Sequence, residues 1–143
     1  MERQIFINLP VTNVVASSAF YAALGAEPDE RFCDASSAMM RFTDTITVML
    51  LEQARFTGFT SKPIADARTH SQALFCLSCA DRAGVDRLAN IARWAGGRAD
   101  PMPSQDYGFL YGRSFEDPDG HGWEAVWMDV DAAMAARQQT QDA

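Results

Sequence analysis

Turn and apolar signals along the chain spell one order of elements twice: strand, helix, then three strands. Alternating and β-branched residues mark the first strand over 4–11, and Asn13 is placed to cap a helix over 14–24 that Gly25 ends. Three short strands follow over 28–33, 37–42 and 45–52, the last two joined by a tight hairpin at Thr43-Asp44. After a polar stretch with Gly58 and Pro63 the order recurs. A strand spans 72–79, Asp81 caps a helix over 82–95 that Gly96-Gly97 ends, and strands span 98–102, 108–115 and 122–128.

Duplication of this kind constrains the fold strongly. One βαβββ unit cannot cover both its helix and the inner face of its own sheet. Two units side by side can, and their sheets then curve around a shared concavity. The expectation is therefore an α+β fold of two βαβββ modules forming a curved, cup-like mixed sheet. Module 1 spans 4–60 and module 2 spans 71–130, with a linker over 61–70 and a C-terminal tail over 131–143 expected as a surface helix. All of it reads as a single domain, of a size that buries a core without staples.

Charge narrows the partners. A net charge of −7 on 143 residues argues against nucleic acid, which needs a basic face, and is compatible with a cationic ligand or simply with solubility. No apolar run approaches the roughly 20 residues that span a bilayer, and the N-terminus lacks a signal-peptide pattern, so a cytoplasmic location and no membrane partner are expected. Cys76-Leu-Ser-Cys79 lies inside an apolar strand rather than at a helix start, so small core residues are expected there, not a redox pair.

The stretch FEDPDGHGWEAVWM, 115–128, carries the chemistry. Asp-Pro-Asp-Gly is a turn sequence, and it pairs the strands on either side antiparallel. A three-residue loop sets Ser114 opposite Glu124, on a face with Gly108, Leu110 and Gly112 that leaves room before the carboxylate. A two-residue loop sets Arg113 opposite Glu124 and neutralises it. P-D-G favours the first. Glu124 then suits a general base or a cation-binding group in a cavity; the other reading is a pair with Arg113 or a cap on a backbone amide. Trp123 and Trp127 face the other way and are expected under a helix. Tyr111 and Arg113 share a stripe with Tyr107 and Phe109; they either reach a ligand or form a sheet–helix interface. His121 is expected exposed, His70 on a solvent-facing loop, and Lys62 can sit on a loop over the opening.

The pattern F-x-D-P-D-G-x-x-W-E closing a second βαβββ unit resembles the glyoxalase/bleomycin resistance/extradiol dioxygenase (vicinal oxygen chelate) superfamily. NLPVTNVVASSAFYAALG, 8–25, resembles that family's opening strand and helix, and VMLLE, FTSKPIADA and YGRSFEDPDGHGWEAVWMD resemble its predicted lactoylglutathione lyase-like subgroup. The resemblance covers roughly residues 4–130. It implies a cup in which four side chains from the first and last strand of each module hold a divalent metal such as Ni, Zn or Fe. Glu124 matches the last of these. Phe6, with Asn8 one pleat on, falls at the first; Leu74, with Cys76 next, at another; and Leu50, with Glu52 two residues on, at the remaining one. Phenylalanine and leucine cannot ligate a metal, so Glu124 stands as a lone family-type ligand. Asn8, Glu52, Tyr111, Arg113, Phe6 and Leu74 are the expected ligand-binding residues, with Glu124 catalytic. The resemblance further implies a homodimer and a small-molecule substrate. The leading function is a lactoylglutathione lyase-type enzyme with a degenerate metal centre, or one that uses Glu124 as base without metal. The alternative is a non-catalytic binder that sequesters a small compound, as bleomycin-resistance proteins do.

Overall fold

The computed structural model describes residues 1–142, so position 143 of the expected tail lies outside the described residues. Strand β1 (Ile5–Val11) leads into helix α1 (Val14–Ala23), followed by β2 (Glu27–Pro28), β3 (Ser37–Arg41) and β4 (Ile46–Glu52). A one-turn helix α2 (Gln53–Phe56) and a 3-10 turn over Thr57–Phe59 open the linker. Then come β5 (Leu74–Ser78), α3 (Arg82–Trp94), β6 (Arg98–Ala99), β7 (Gln105–Asp106), β8 (Leu110–Glu116), β9 (Gly122–Met128) and the tail helix α4 (Val130–Asp142).

Two open mixed sheets result, ordered β1-β4-β3-β2 and β5-β9-β8-β6, with β7 added on β8. Their wiring is the same. In each, the first strand runs parallel to the last, and the last runs antiparallel to the strand before it. The α+β duplication expected from the sequence is therefore the architecture. Both main helices start as expected. The Asn13 side chain accepts the Ala16 N–H at 3.0 Å and the Asp81 carboxylate accepts the Gly84 N–H at 2.7 Å.

Two strand boundaries are corrected. Pairing stops at Pro28 because the Asp29 carboxylate turns back on the Arg31 N–H and guanidinium, at 2.7 to 3.2 Å, and bends 30–32 into a 3-10 turn. The expected strand over 98–102 ends at Ala99. Asp100 takes a left-handed conformation (φ 56°) and Pro101 cannot donate, so the chain leaves β8 and returns only at Gln105.

The core joins the two units. Phe20 and Tyr21 of α1 are fully buried, and Tyr21 packs at 5.7 Å on Trp123 of β9 while Phe20 lies 6.4 Å from Phe115 of β8. A Cβ on Gly97 would run into the Glu116 carbonyl, so only glycine lets β6 enter beside β8. Around the Asp-Pro-Asp-Gly turn, the Asp117 N–H donates to the His121 carbonyl at 3.1 Å and closes a three-residue loop. The Asp117 carboxylate accepts the N–H groups of Asp119 and His121, both at 2.9 Å, and the Tyr21 hydroxyl at 2.8 Å. Asp119 accepts the Thr12 N–H at 3.0 Å and the Ser17 hydroxyl at 3.4 Å. This turn fastens the second unit to α1 and to the end of β1.

Candidate functional site

Side chains alternate along β9, so Trp123 and Ala125, which are buried, face the helices. Glu124 between them faces the opposite, open side. The register is the three-residue-loop one: Ser114 lies opposite Glu124 in β8 and Cys76 lies beside it in β5. A hollow of about 910 Å³ opens in front of this face, and Glu124 is part of its wall. Asn8 of β1 and Leu74 of β5 line it too, together with much of the 60–73 linker. The segment expected as a mere linker thus forms a wall of the site. A smaller cavity of about 260 Å³ shares Pro10, Ile64, Ala65, Ala67, Arg68 and His121 with the larger one.

Several expected site residues lie elsewhere. Phe6 shares the Asn8 side of β1 by alternation and is half exposed, but it is not part of the wall. Leu50 is fully buried, opposite Ala38 and Leu9 in the core beneath α1, and Glu52, two residues on, shares that side and lies off the wall. The β4 counterpart of Glu124 is instead Met49: each lies between two buried residues and beside the first strand of its sheet, at Asn8 for Met49 and at Cys76 for Glu124. Tyr111 and Arg113 face α3. The Tyr111 hydroxyl donates to Asp86 at 2.6 Å, while the Arg113 guanidinium spans Asp86 at 3.1 Å and Asp100 at 2.7 Å. Those bonds hold the Asp86 and Asp100 carboxyls below the usual carboxylate range and raise the Tyr111 phenol. This is a sheet–helix interface, with Trp127 beneath the Arg82 guanidinium as expected of a residue under a helix.

His121, expected exposed, is half-buried, and its Nε2 lies 2.8 Å from the Pro10 carbonyl. His70 is exposed on the linker and lines the hollow, as does Lys62. Arg98 and Glu116 were missed. They face each other across β6 and β8, and both line the hollow. Glu116 was within reach of the sequence, since alternation from Ser114 puts it one pleat along the same face. Burial, and then the Glu124 charge beside it, push the Cys76 thiol above its usual range, which keeps it protonated.

The donors present do not fit the metal centre implied by the resemblance. Around Glu124 stand a hydroxyl and a single thiol, and at the matching place in the first sheet stand a thioether and an amide. Among the described residues no three His, Cys, Asp or Glu side chains converge on one point.

No protein-family model and no curated protein matches the sequence. Solved structures do match. A hypothetical protein from S. aureus is 25% identical with a TM-score of 0.73, covering 89% of this chain and 94% of that one. A glyoxalase/bleomycin resistance protein/dioxygenase family enzyme from Burkholderia phytofirmans is 17% identical with a TM-score of 0.72, covering 89% and 99%. A lactoylglutathione lyase from Agrobacterium tumefaciens is 17% identical with a TM-score of 0.63, covering 89% and 94%. The chain has the fold of the glyoxalase/bleomycin resistance proteins. No helix among the described residues is long and apolar enough to cross a membrane.

Proposed function

We propose that this chain is a glyoxalase-like enzyme that takes a small metabolite into the hollow and uses Glu124 as its base. One observation carries the reading: a half-buried carboxylate stands on the open face of β9, on the wall of a cavity large enough for a metabolite. Glu124 would take a proton from a hydroxyl-bearing carbon made acidic by a neighbouring carbonyl and return it to that carbonyl carbon, while the hydroxyl proton passes to the former carbonyl oxygen, so carbonyl and hydroxyl exchange places and no atom is lost. Ser114 has its hydroxyl engaged with the Met102 N–H at 3.1 Å, which holds the 100–104 loop beside that carboxylate. Lactoylglutathione lyase-type substrates, adducts of glutathione with a 2-oxoaldehyde, are the first to assay. Glu124→Gln should cut turnover at least 100-fold with the fold intact, and an unchanged rate would remove Glu124 from the chemistry.

The donor set favours a second reading, a protein that binds such a compound without converting it. Saturable binding with no turnover on any 2-oxoaldehyde adduct would establish it. Either reading accommodates a homodimer, because Met128 on the open face of the second sheet is 45% exposed and lies off the hollow's wall, where a second copy would cover it. Sedimentation of the purified protein decides that point.

A further inference from the structure

The charge on the wall runs against the charge on the protein. The chain carries 12 Lys and Arg against 19 Asp and Glu, yet its sole lysine and both of its histidines line the hollow, with Arg68 and Arg98. Among the described residues, Glu116 and Glu124 are the only carboxylates on that wall. Arg68 is already engaged, with the Pro118 carbonyl at 3.1 Å and Asp119 at 3.8 Å. Lys62 and Arg98 have no ion-pair partner among the described residues, although Arg98 stands directly across from Glu116. They reach the hollow from different walls, Lys62 from the linker and Arg98 from the edge of the second sheet.

From this we infer that the hollow takes a small anion, a carboxylate or phosphate on an apolar body, held by Lys62 and Arg98. A cation in a concave, largely apolar wall attracts an anion more strongly than one on open surface, because fewer waters compete for it. Apolar residues such as Ile64, Leu74 and Met102 supply the surface for the ligand's body. Arg98 lies two strands over and one pleat along from Glu124, which separates their Cα atoms by roughly 12 Å. The anion therefore sits at one end of the site and the group that Glu124 acts on at the other. The overall acidity of the chain is compatible with a cationic ligand or simply with solubility; the wall itself points to an anion. The inference rests on the hollow being the ligand site.

Four probes with one benzyl body test it by calorimetry on the full chain: phenylacetate and benzyl phosphate as the anions, benzyl alcohol as the neutral form, and benzylamine as the cation. At least one anion should bind 10-fold or more tightly than the alcohol and the amine, and which anion does so separates carboxylate from phosphate. Arg98→Gln and Lys62→Gln should each erase at least 5-fold of that preference. Both side chains are exposed, so both variants are expected to keep the parent melting temperature. Amine binding as tight as the anions, or variants that keep the full preference, would overturn the inference and leave the ligand site standing. If none of the probes binds, the site and the inference fall together.

Discussion

The hydroxyl of Tyr21 donates a 2.8 Å hydrogen bond to the carboxylate of Asp117, a residue 96 positions later in the chain and only 3% exposed. The same phenol oxygen accepts the indole N–H of Trp123 at 3.1 Å. A helix of the first unit thereby reads out the turn and the last strand of the second, and the strand it reads carries Glu124. Burial, and next the Asp117 charge, drive the Tyr21 phenol well above its ordinary value, so it remains a donor at any physiological pH.

Tyr21→Phe keeps the ring in its aromatic cluster and removes both bonds. It leaves a buried carboxylate oxygen and a buried indole N–H without their partner, which costs about 1–3 kcal/mol each where no water replaces it. Urea unfolding should show a loss of at least about 2 kcal/mol with an unchanged slope. A loss below about 0.5 kcal/mol would mean that the two units are held by packing alone.

Asp117 also gives the fold a pH dependence of unusual sign for a carboxylate. Burial raises it above the ordinary value of 3.8, against the lowering effects of His121 and its hydrogen bonds. The folded state therefore holds that proton more tightly than the unfolded state. Its contribution is complete below the unfolded pKa and is lost as pH rises through the folded one. The stability of the parent relative to Asp117→Asn should fall as pH is raised through the mildly acid range. A flat difference across a pH series of urea melts would refute this.

Arg113 offers a test of which face is which. Its side chain is 13% exposed and bridges two carboxylates under α3. Lysine keeps the charge but not the fork that spans Asp86 and Asp100. Arg113→Lys should lower stability by about 1–3 kcal/mol while leaving the affinity of any ligand in the hollow unchanged. A change in ligand affinity without a change in melting temperature would return Arg113 to the binding site.

The fold was legible because its signals are local and repeated. Asn13 and Asp81 cap helices, Gly25 ends one, and Asp-Pro-Asp-Gly sets a register that fixes the facing of Glu124 through Ser114. Side-chain contacts between distant segments were not legible. The end of the strand at Pro28 was a local signal passed over, since Asp29 stands two residues before Arg31 and accepts its N–H as in an Asx-turn. Nothing in the spacing of VMLLE says whether Leu50 or Met49 faces the open side, since in an apolar run both alternations are apolar. Arg98 lies on a two-residue strand, too short to show a period, and its place on the wall follows only from pairing with Glu116. Lys62 could be placed on a loop but not aimed, because the linker is held by backbone contacts with the turn.

Those contacts can be broken at one atom. Gly120 has φ +92°, and a Cβ there would lie 3.0 Å from the backbone of Arg68. Alanine at this position is strained twice, by its own dihedral and by the linker pressed against it. The Arg68 backbone cannot rotate away as a side chain would, so the linker must give by a few tenths of an ångström, which loosens its seat on the turn. Gly120→Ala should therefore lower the melting temperature, open the 60–73 segment to limited proteolysis, and weaken ligand binding together. Asn at the same position tolerates the dihedral but not the contact, so it should reproduce the proteolysis with a smaller loss of stability. If both variants keep the parent's protease resistance, the linker is not braced by the turn, and the wall it forms is held by something else.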